Sequence, residues 1–158
     1  MYRRDFYTAL VYARRWPLLG PLAYYLLKLL GAEIPRSVPI GPDFLLEHGG
    51  FGVVIHSKSR IGARVRIYPG VTLGRADIYL PAERSRFEGI VIEDDVILSP
   101  GCKVLCKDGV LRVGQGTVVG ANAVLLESTG PYELWAGVPA VRVGVRPREE
   151  GVGEALSG

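Results

Sequence analysis

The hydrophobic rhythm of the chain changes once, near residue 33. Before that point apolar residues fall into two helical stretches. Asp5 precedes Phe6, Leu10, Ala13 and Trp16, with Arg14 and Arg15 late, which reads as a short helix ended by Pro17. Gly20-Pro21 then opens a second helix, with Pro at its first helical position, that runs to Leu30 and stops at Gly31. Leu22, Tyr24, Tyr25, Leu26, Leu27, Leu29 and Leu30 make it apolar nearly all round. Such a helix has to bury itself, either by packing on the body or in an oligomer, or as an interfacial anchor on a membrane.

After Glu33 aliphatic residues recur every six positions: Ile34, Ile40 and Leu46, then Ile55, Ile61, Ile67 and Leu73. The register returns at Ile92, Leu98 and Val104, and again at Val113, Val119 and Leu125. A second small or apolar residue often follows four places on, as at Val38, Val65, Val71, Val96, Cys102 and Ala123. A period of six matches neither a 3.6-residue helix nor an alternating strand. It fits a solenoid in which each hexad makes one short strand and one turn, and three hexads close a triangular coil. The aliphatic position points into the prism and stacks on its equivalents above and below, while glycines such as Gly41, Gly62, Gly114 and Gly120 relieve the turns. The hexads predict a mainly β fold of about four to five coils behind a short N-terminal helical segment.

The pattern is interrupted at His48-Gly49-Gly50-Phe51-Gly52, from Arg75 to Gly89, and around Lys107 to Arg112. Insertions in a solenoid are loops on its faces, and faces carry function. The expected divisions are a helical hairpin over 1–32, the solenoid over 33–145, and a polar, Gly-rich flexible tail over 146–158.

Composition sharpens this reading. Among 158 residues, 21 glycines and 11 prolines accompany 48% apolar side chains, a mix that excludes both disorder and a helical bundle. Residues 1–31 carry a net charge of +4 and the remainder −1, so the body lacks the clustered cations of a nucleic-acid surface. The basic hairpin suits peripheral contact with the inner membrane face, since the run from Trp16 to Leu30 falls short of the about 20 residues of a span. No secretory pattern precedes it. Cys102 and Cys106 have no partner ligands for a metal and read as reduced structural thiols of a cytoplasmic protein.

Three stretches carry a resemblance. They are Glu33-Ile34 through Glu47-His48, Ile67-Tyr68-Pro69-Gly70-Val71-Thr72-Leu73-Gly74, and Trp135-Ala136-Gly137-Val138-Pro139-Ala140. In this order and spacing they resemble the hexapeptide-repeat acyltransferases, in particular the serine O-acetyltransferase branch. The resemblance implies a left-handed parallel β-helix, a homotrimer with active sites between subunits, and acetyl-CoA as co-substrate without a metal. It implies that His48 is the general base, a role suited to an imidazole, with Glu33, fifteen residues earlier, orienting the ring. Glu47 and Arg86 would contact the acceptor, and Gly74, Ser99, Pro100, Ala121, Gly137 and Val138 the cofactor. Val118 occupies a family lysine position, leaving Arg75, Arg142 or Arg146 for phosphate contacts. Trp135 reads as a cap on the prism or a platform for adenine, and His56 as solvated surface.

The chain also departs from that branch. Glutamates replace aspartates at 33 and 47, Arg86-Phe87-Glu88-Gly89 stands where a second histidine is expected, and about 32 residues replace a large helical domain. These departures resemble shorter relatives associated with capsule, exopolysaccharide or lipid-linked sugar synthesis. The expected activity is therefore CoA-dependent O-acetyl transfer to a sugar-like hydroxyl. Serine O-acetylation and a non-catalytic β-helix scaffold are the alternatives. A metal-dependent hydratase like the γ-class carbonic anhydrases is excluded, because its three histidine ligands cannot come from two histidines.

Overall fold

The computed structural model describes residues 5–147. Helix α1 (Phe6–Ala13) begins where Asp5 caps it, its carboxylate accepting from the Thr8 N–H at 2.8 Å. It ends at Ala13, before Trp16, as the Arg15 and Trp16 N–H groups donate to Tyr12 and Ala13 at 3.3 and 2.9 Å in tighter turns ahead of Pro17. The Arg14 guanidinium is fully buried and donates to the carbonyls of Val11, Pro35 and Val38, tying the hairpin to the body. Desolvation, and then the charge of Arg15, lowers its pKa to about 10. Helix α2 (Gly20–Leu29) buries Gly20, Ala23 and Leu27 and leaves Leu22, Tyr25 and Leu29 exposed. Packing on the body thus satisfies one face of α2, not the whole helix.

The remainder is a stack of short strands. In chain order they are β1 (Leu45–Leu46), β2 (Val54–Ile55), β3 (Ser59–Ile61), β4 (Arg66–Ile67) and β5 (Thr72–Arg75). They continue as β6 (Arg86–Ile92), β7 (Ile97–Leu98), β8 (Lys103–Cys106) and β9 (Asp108–Val113). β10 (Val118–Val119), β11 (Val124–Leu125), β12 (Glu133–Gly137) and β13 (Ala140–Val145) complete the set. Three sheets enclose the core: β1-β4-β7-β10-β12-β13, β2-β5-β8-β11 and β3-β6-β9. All pairs are parallel except β12 with β13, which fold back on each other at the top.

The six-residue period appears as vertical columns of buried side chains. Leu46, Ile67, Leu98, Val119 and Trp135 are in register through the first sheet. Ile55, Leu73, Val104 and Leu125 run through the second, and Ile61, Ile92 and Val113 through the third, with Ile40 bridged to Ile61. Trp135 closes its column as the expected cap, its indole N–H donating to Glu133 at 2.8 Å. The two later interruptions are not independent loops. Arg86 pairs with Asp108 and Phe87 with Gly109, so each insertion extends a strand of the third sheet. Arg146, the first residue of the expected tail, donates to the carbonyls of Asp95 and Gly116. The rest of that tail from residue 148, and residues 1–4 of the hairpin, lie outside the described residues. Among the described residues, no helix is long and apolar enough to cross a membrane.

Candidate active site

The edge between the first and second sheets is a ladder of tight turns. The Gly70 N–H donates to Phe51, Gly101 to Pro69 and Asn122 to Pro100, each at 2.9 Å, and Gly120 to Trp135 at 2.8 Å. From bottom to top, the turns along this edge are His48-Gly49-Gly50-Phe51-Gly52, Tyr68-Pro69-Gly70, Ser99-Pro100-Gly101, Gly120-Ala121-Asn122 and Gly137-Val138. The edge therefore collects His48, Glu47, Ser99, Pro100, Ala121, Gly137 and Val138 from across the chain. β1 to β12 is four strand spacings of about 4.8 Å, so the ladder is about 19 Å long.

His48 sits at the foot of this ladder with its backbone in the left-handed region, φ 52°, and its side chain exposed. Few non-glycine residues adopt that conformation, and here the surroundings enforce it. Gly49 and Gly50 follow at φ 73° and 63°. A Cβ on Gly49 would meet the Tyr7 ring at 3.0 Å, and one on Gly50 would meet Leu46 at 2.4 Å. Thr8 accepts from the Leu46 N–H at 3.2 Å, and Gly52 donates to the Gly31 carbonyl at 2.7 Å. Both N-terminal helices thus grip the histidine turn. The imidazole lies 6.1 Å from the Tyr68 ring, on the layer above.

The two expected carboxylates have other partners. Glu33 accepts from Lys28 at 3.0 Å, and Glu47 lies 3.9 Å from Arg66. Among the described residues, neither hydrogen-bonds His48. Glu33 stands at the foot of the second sheet, bridged to Val54.

A second group forms on the opposite edge of the second sheet, where β5 gives way to β6. Gly74 and Arg86 are there, with Arg86 paired to Asp108 at 2.5 Å. The second sheet lies between Arg86 and His48 in one protomer. A Cβ added to Gly74 would make only ordinary contacts, 3.7 Å to Thr72 and 3.8 Å to Leu105, so the protomer's own packing does not demand glycine. Arg75 donates to the Asp77 carboxylate and to the carbonyls of Asp77 and Leu80, pinning the loop over 76–85. The Ser85 hydroxyl, and then Arg75, hold the buried Asp77 carboxyl below its ordinary range. Arg142 is likewise engaged, with Glu133 at 3.3 Å.

His56 differs from its reading as solvated surface. It points outward, but the returning strand lays Phe87 against it, ring centroids 4.8 Å apart and edge to face. Its Nδ1 accepts from the Lys58 N–H at 3.1 Å. Desolvation, then Lys58 and Arg75, pulls its pKa below 6.5. Alternation alone could not reveal this, because the covering residue is about thirty positions away. Below this edge, a groove of about 620 Å³ on the outer face of the third sheet is lined by Lys58, Arg60, Glu88 and Arg112.

No family model matches the chain. A serine acetyltransferase of Bacillus subtilis (strain 168) is 35% identical over 109 residues, which is 69% of this chain and 46% of that protein. The serine acetyltransferase of Brucella abortus strain S19 solved in complex with coenzyme A superimposes with a TM-score of 0.71 at 25% identity, covering 88% of this chain and 55% of that one. The Neisseria gonorrhoeae serine acetyltransferase solved with serine gives 0.68 at 26% identity, covering 87% and 55%. The chain spans about half the length of the curated relatives it matches. The parallel prism is the left-handed β-helix of these neighbours. Repeat, corner motifs, sequence likeness and fold together place the β-helical body in the hexapeptide-repeat acyltransferase family, on its serine O-acetyltransferase-like branch.

Proposed function

We propose that the protein transfers an acetyl group from acetyl-CoA to a hydroxyl, with His48 as general base and serine as the acceptor. The observation that carries the chemistry is the shared edge: the exposed His48 on its enforced turn stands at the foot of the ladder bearing Ser99, Pro100, Ala121, Gly137 and Val138. In this reading His48 takes the acceptor's proton as the oxygen attacks the thioester carbonyl. The C–S bond of the tetrahedral intermediate then breaks, and the imidazolium returns the proton to the departing sulfur. The extended CoA arm follows the ladder. Glu33 is the orienting carboxylate, and it must exchange Lys28 for the ring to act.

A prism edge is convex, so one protomer offers only half of a cleft. A homotrimer supplies the other half by bringing the Gly74 and Arg86 edge of one subunit to the His48 edge of its neighbour, with Glu47 and Arg86 facing the acceptor. Residues 33–145 then carry the chemistry, and the hairpin, through its described residues 5–32, holds the histidine turn. A CoA donor and buried thiols suit the cytoplasm.

Serine rests on the named relatives and on their solved complexes with serine and coenzyme A. The sequence alone favours a sugar hydroxyl, and one observation keeps that as the second reading: buried Phe87 and ion-paired Arg86 stand where the branch has a histidine. Thiol release from acetyl-CoA, measured with serine, hexoses, amino sugars and nucleotide sugars, tests the choice. Turnover with serine is expected. Turnover with sugars alone establishes the second reading, and absence of both turnover and CoA binding by calorimetry leaves a scaffold.

A further inference from the structure

The outer face of α2 remains unexplained by acyl transfer. Leu22, Tyr25 and Leu29 recur at helical spacing and form one stripe, with Leu29 83% exposed, and Leu18, 89% exposed, lies in the turn before the helix. Trp16 and Leu19, also exposed, broaden it at the hairpin tip. Along the helix, from Leu22 to Leu29, the stripe runs about 10 Å, seven steps of about 1.5 Å each. Residues 6–32 hold no carboxylate; of their cations, Arg14 is buried and Lys28 pairs with Glu33, which leaves Arg15 exposed at the tip. Arg15 has no side-chain partner among the described residues. Exposed Arg36 stands behind the tip, donating to the carbonyls of Arg14 at 2.8 Å and Trp16 at 3.4 Å.

We propose that this face docks on an anionic lipid bilayer, with α2 in the plane of the interface. Exposed Arg15 and Arg36 lie at the hairpin tip beside the stripe, and anionic headgroups supply the counter-charge that they lack among the described residues. Trp16 and Tyr25 have the apolar body and polar tip that suit the headgroup boundary. The proposal rests on this face alone and stands apart from the acyl-transfer reading.

Co-sedimentation of the full chain with phosphatidylcholine vesicles, with and without phosphatidylglycerol, tests it. The wild type is expected to pellet with the anionic vesicles. Arg15→Gln should weaken partition roughly fivefold, the worth of one cation near such a surface. Leu22→Ser/Leu29→Ser, at solvent-exposed positions, should abolish pelleting while leaving the thermal melt in place. Failure of the wild type to pellet with anionic vesicles overturns the proposal, as does pelleting of the double variant at the wild-type level. A lower mass by light scattering for that double variant, with no vesicle binding by the wild type, would instead show a second copy covering the stripe and overturn it too.

Discussion

Gly74→Ala separates a glycine kept for a ligand from one kept for the fold. Gly74 lies in β5 with nothing of the protomer closer than 3.7 Å to an added Cβ. Alanine there should stabilise by about 0.4–1 kcal/mol, because it narrows the unfolded ensemble without straining the native one. For a domain of this size that is a rise in Tm of about 1–4 °C. Gly50 is the contrast: φ is 63°, and the new methyl would sit 2.4 Å from the buried Leu46 side chain. Left-handed strain of about 1–2 kcal/mol and overpacking of about 1–3 kcal/mol together lower the Tm by about 4–20 °C. If Gly74 is bare because the cofactor passes over it, the KM for acetyl-CoA rises roughly tenfold in G74A, the worth of about 1.4 kcal/mol from one intruding methyl. Differential scanning calorimetry and initial-rate kinetics on the same samples read both effects. A G74A protein that melts several degrees lower, or one with unchanged KM, refutes the reasoning.

Other consequences are equally specific. Leu98, fully buried between Ile67 and Val119, cannot be replaced by movement of the hydrogen-bonded layers, so L98A should cost about 3–5 kcal/mol in urea unfolding; below about 1 kcal/mol the stacked-column account is wrong. His56 has its pKa depressed in the fold, so below about 6.5 the unfolded chain takes up a proton that the native state resists. Its contribution is therefore full above that pH and lost as pH falls through the folded value. His56→Gln should flatten stability between pH 7 and 5, a window separate from the acid side where Asp77 and Asp95 protonate. Burial pushes the Cys102 thiol up to about 12, so mass spectrometry should find it unalkylated by iodoacetamide in the native protein at pH 8 and labelled in urea.

The parts of the fold legible in the sequence are those set by local repetition. An inward side chain every sixth residue has one stacking solution, and Leu46, Ile67, Leu98 and Val119 occupy it. Pairings between distant segments were not legible, which is why the stretches at 75–89 and 107–112 read as separate loops although Arg86–Ile92 and Asp108–Val113 pair. Arg14 shows the same limit: it read only as a late charge on the first helix, yet its buried guanidinium donates to the carbonyls of Val11 in its own helix and of Pro35 and Val38 beyond the hairpin. At the proposed site, the break in the repeat marked the turn that carries His48, while the role given to His48 came from the resembling family. Glu33 followed from spacing in a resembling family, but its side chain is shared with Lys28, a neighbour supplied by the hairpin. His56 and Phe87 meet only because the returning strand crosses the edge of the second sheet.

The central claim is that His48 removes the acceptor's proton. Asparagine tolerates left-handed backbone, so His48→Asn preserves the turn while removing the base. With wild-type melting retained, kcat for acetyl transfer should fall by a factor of about 10² to 10⁴. A His48→Asn protein with unchanged kcat would contradict the account.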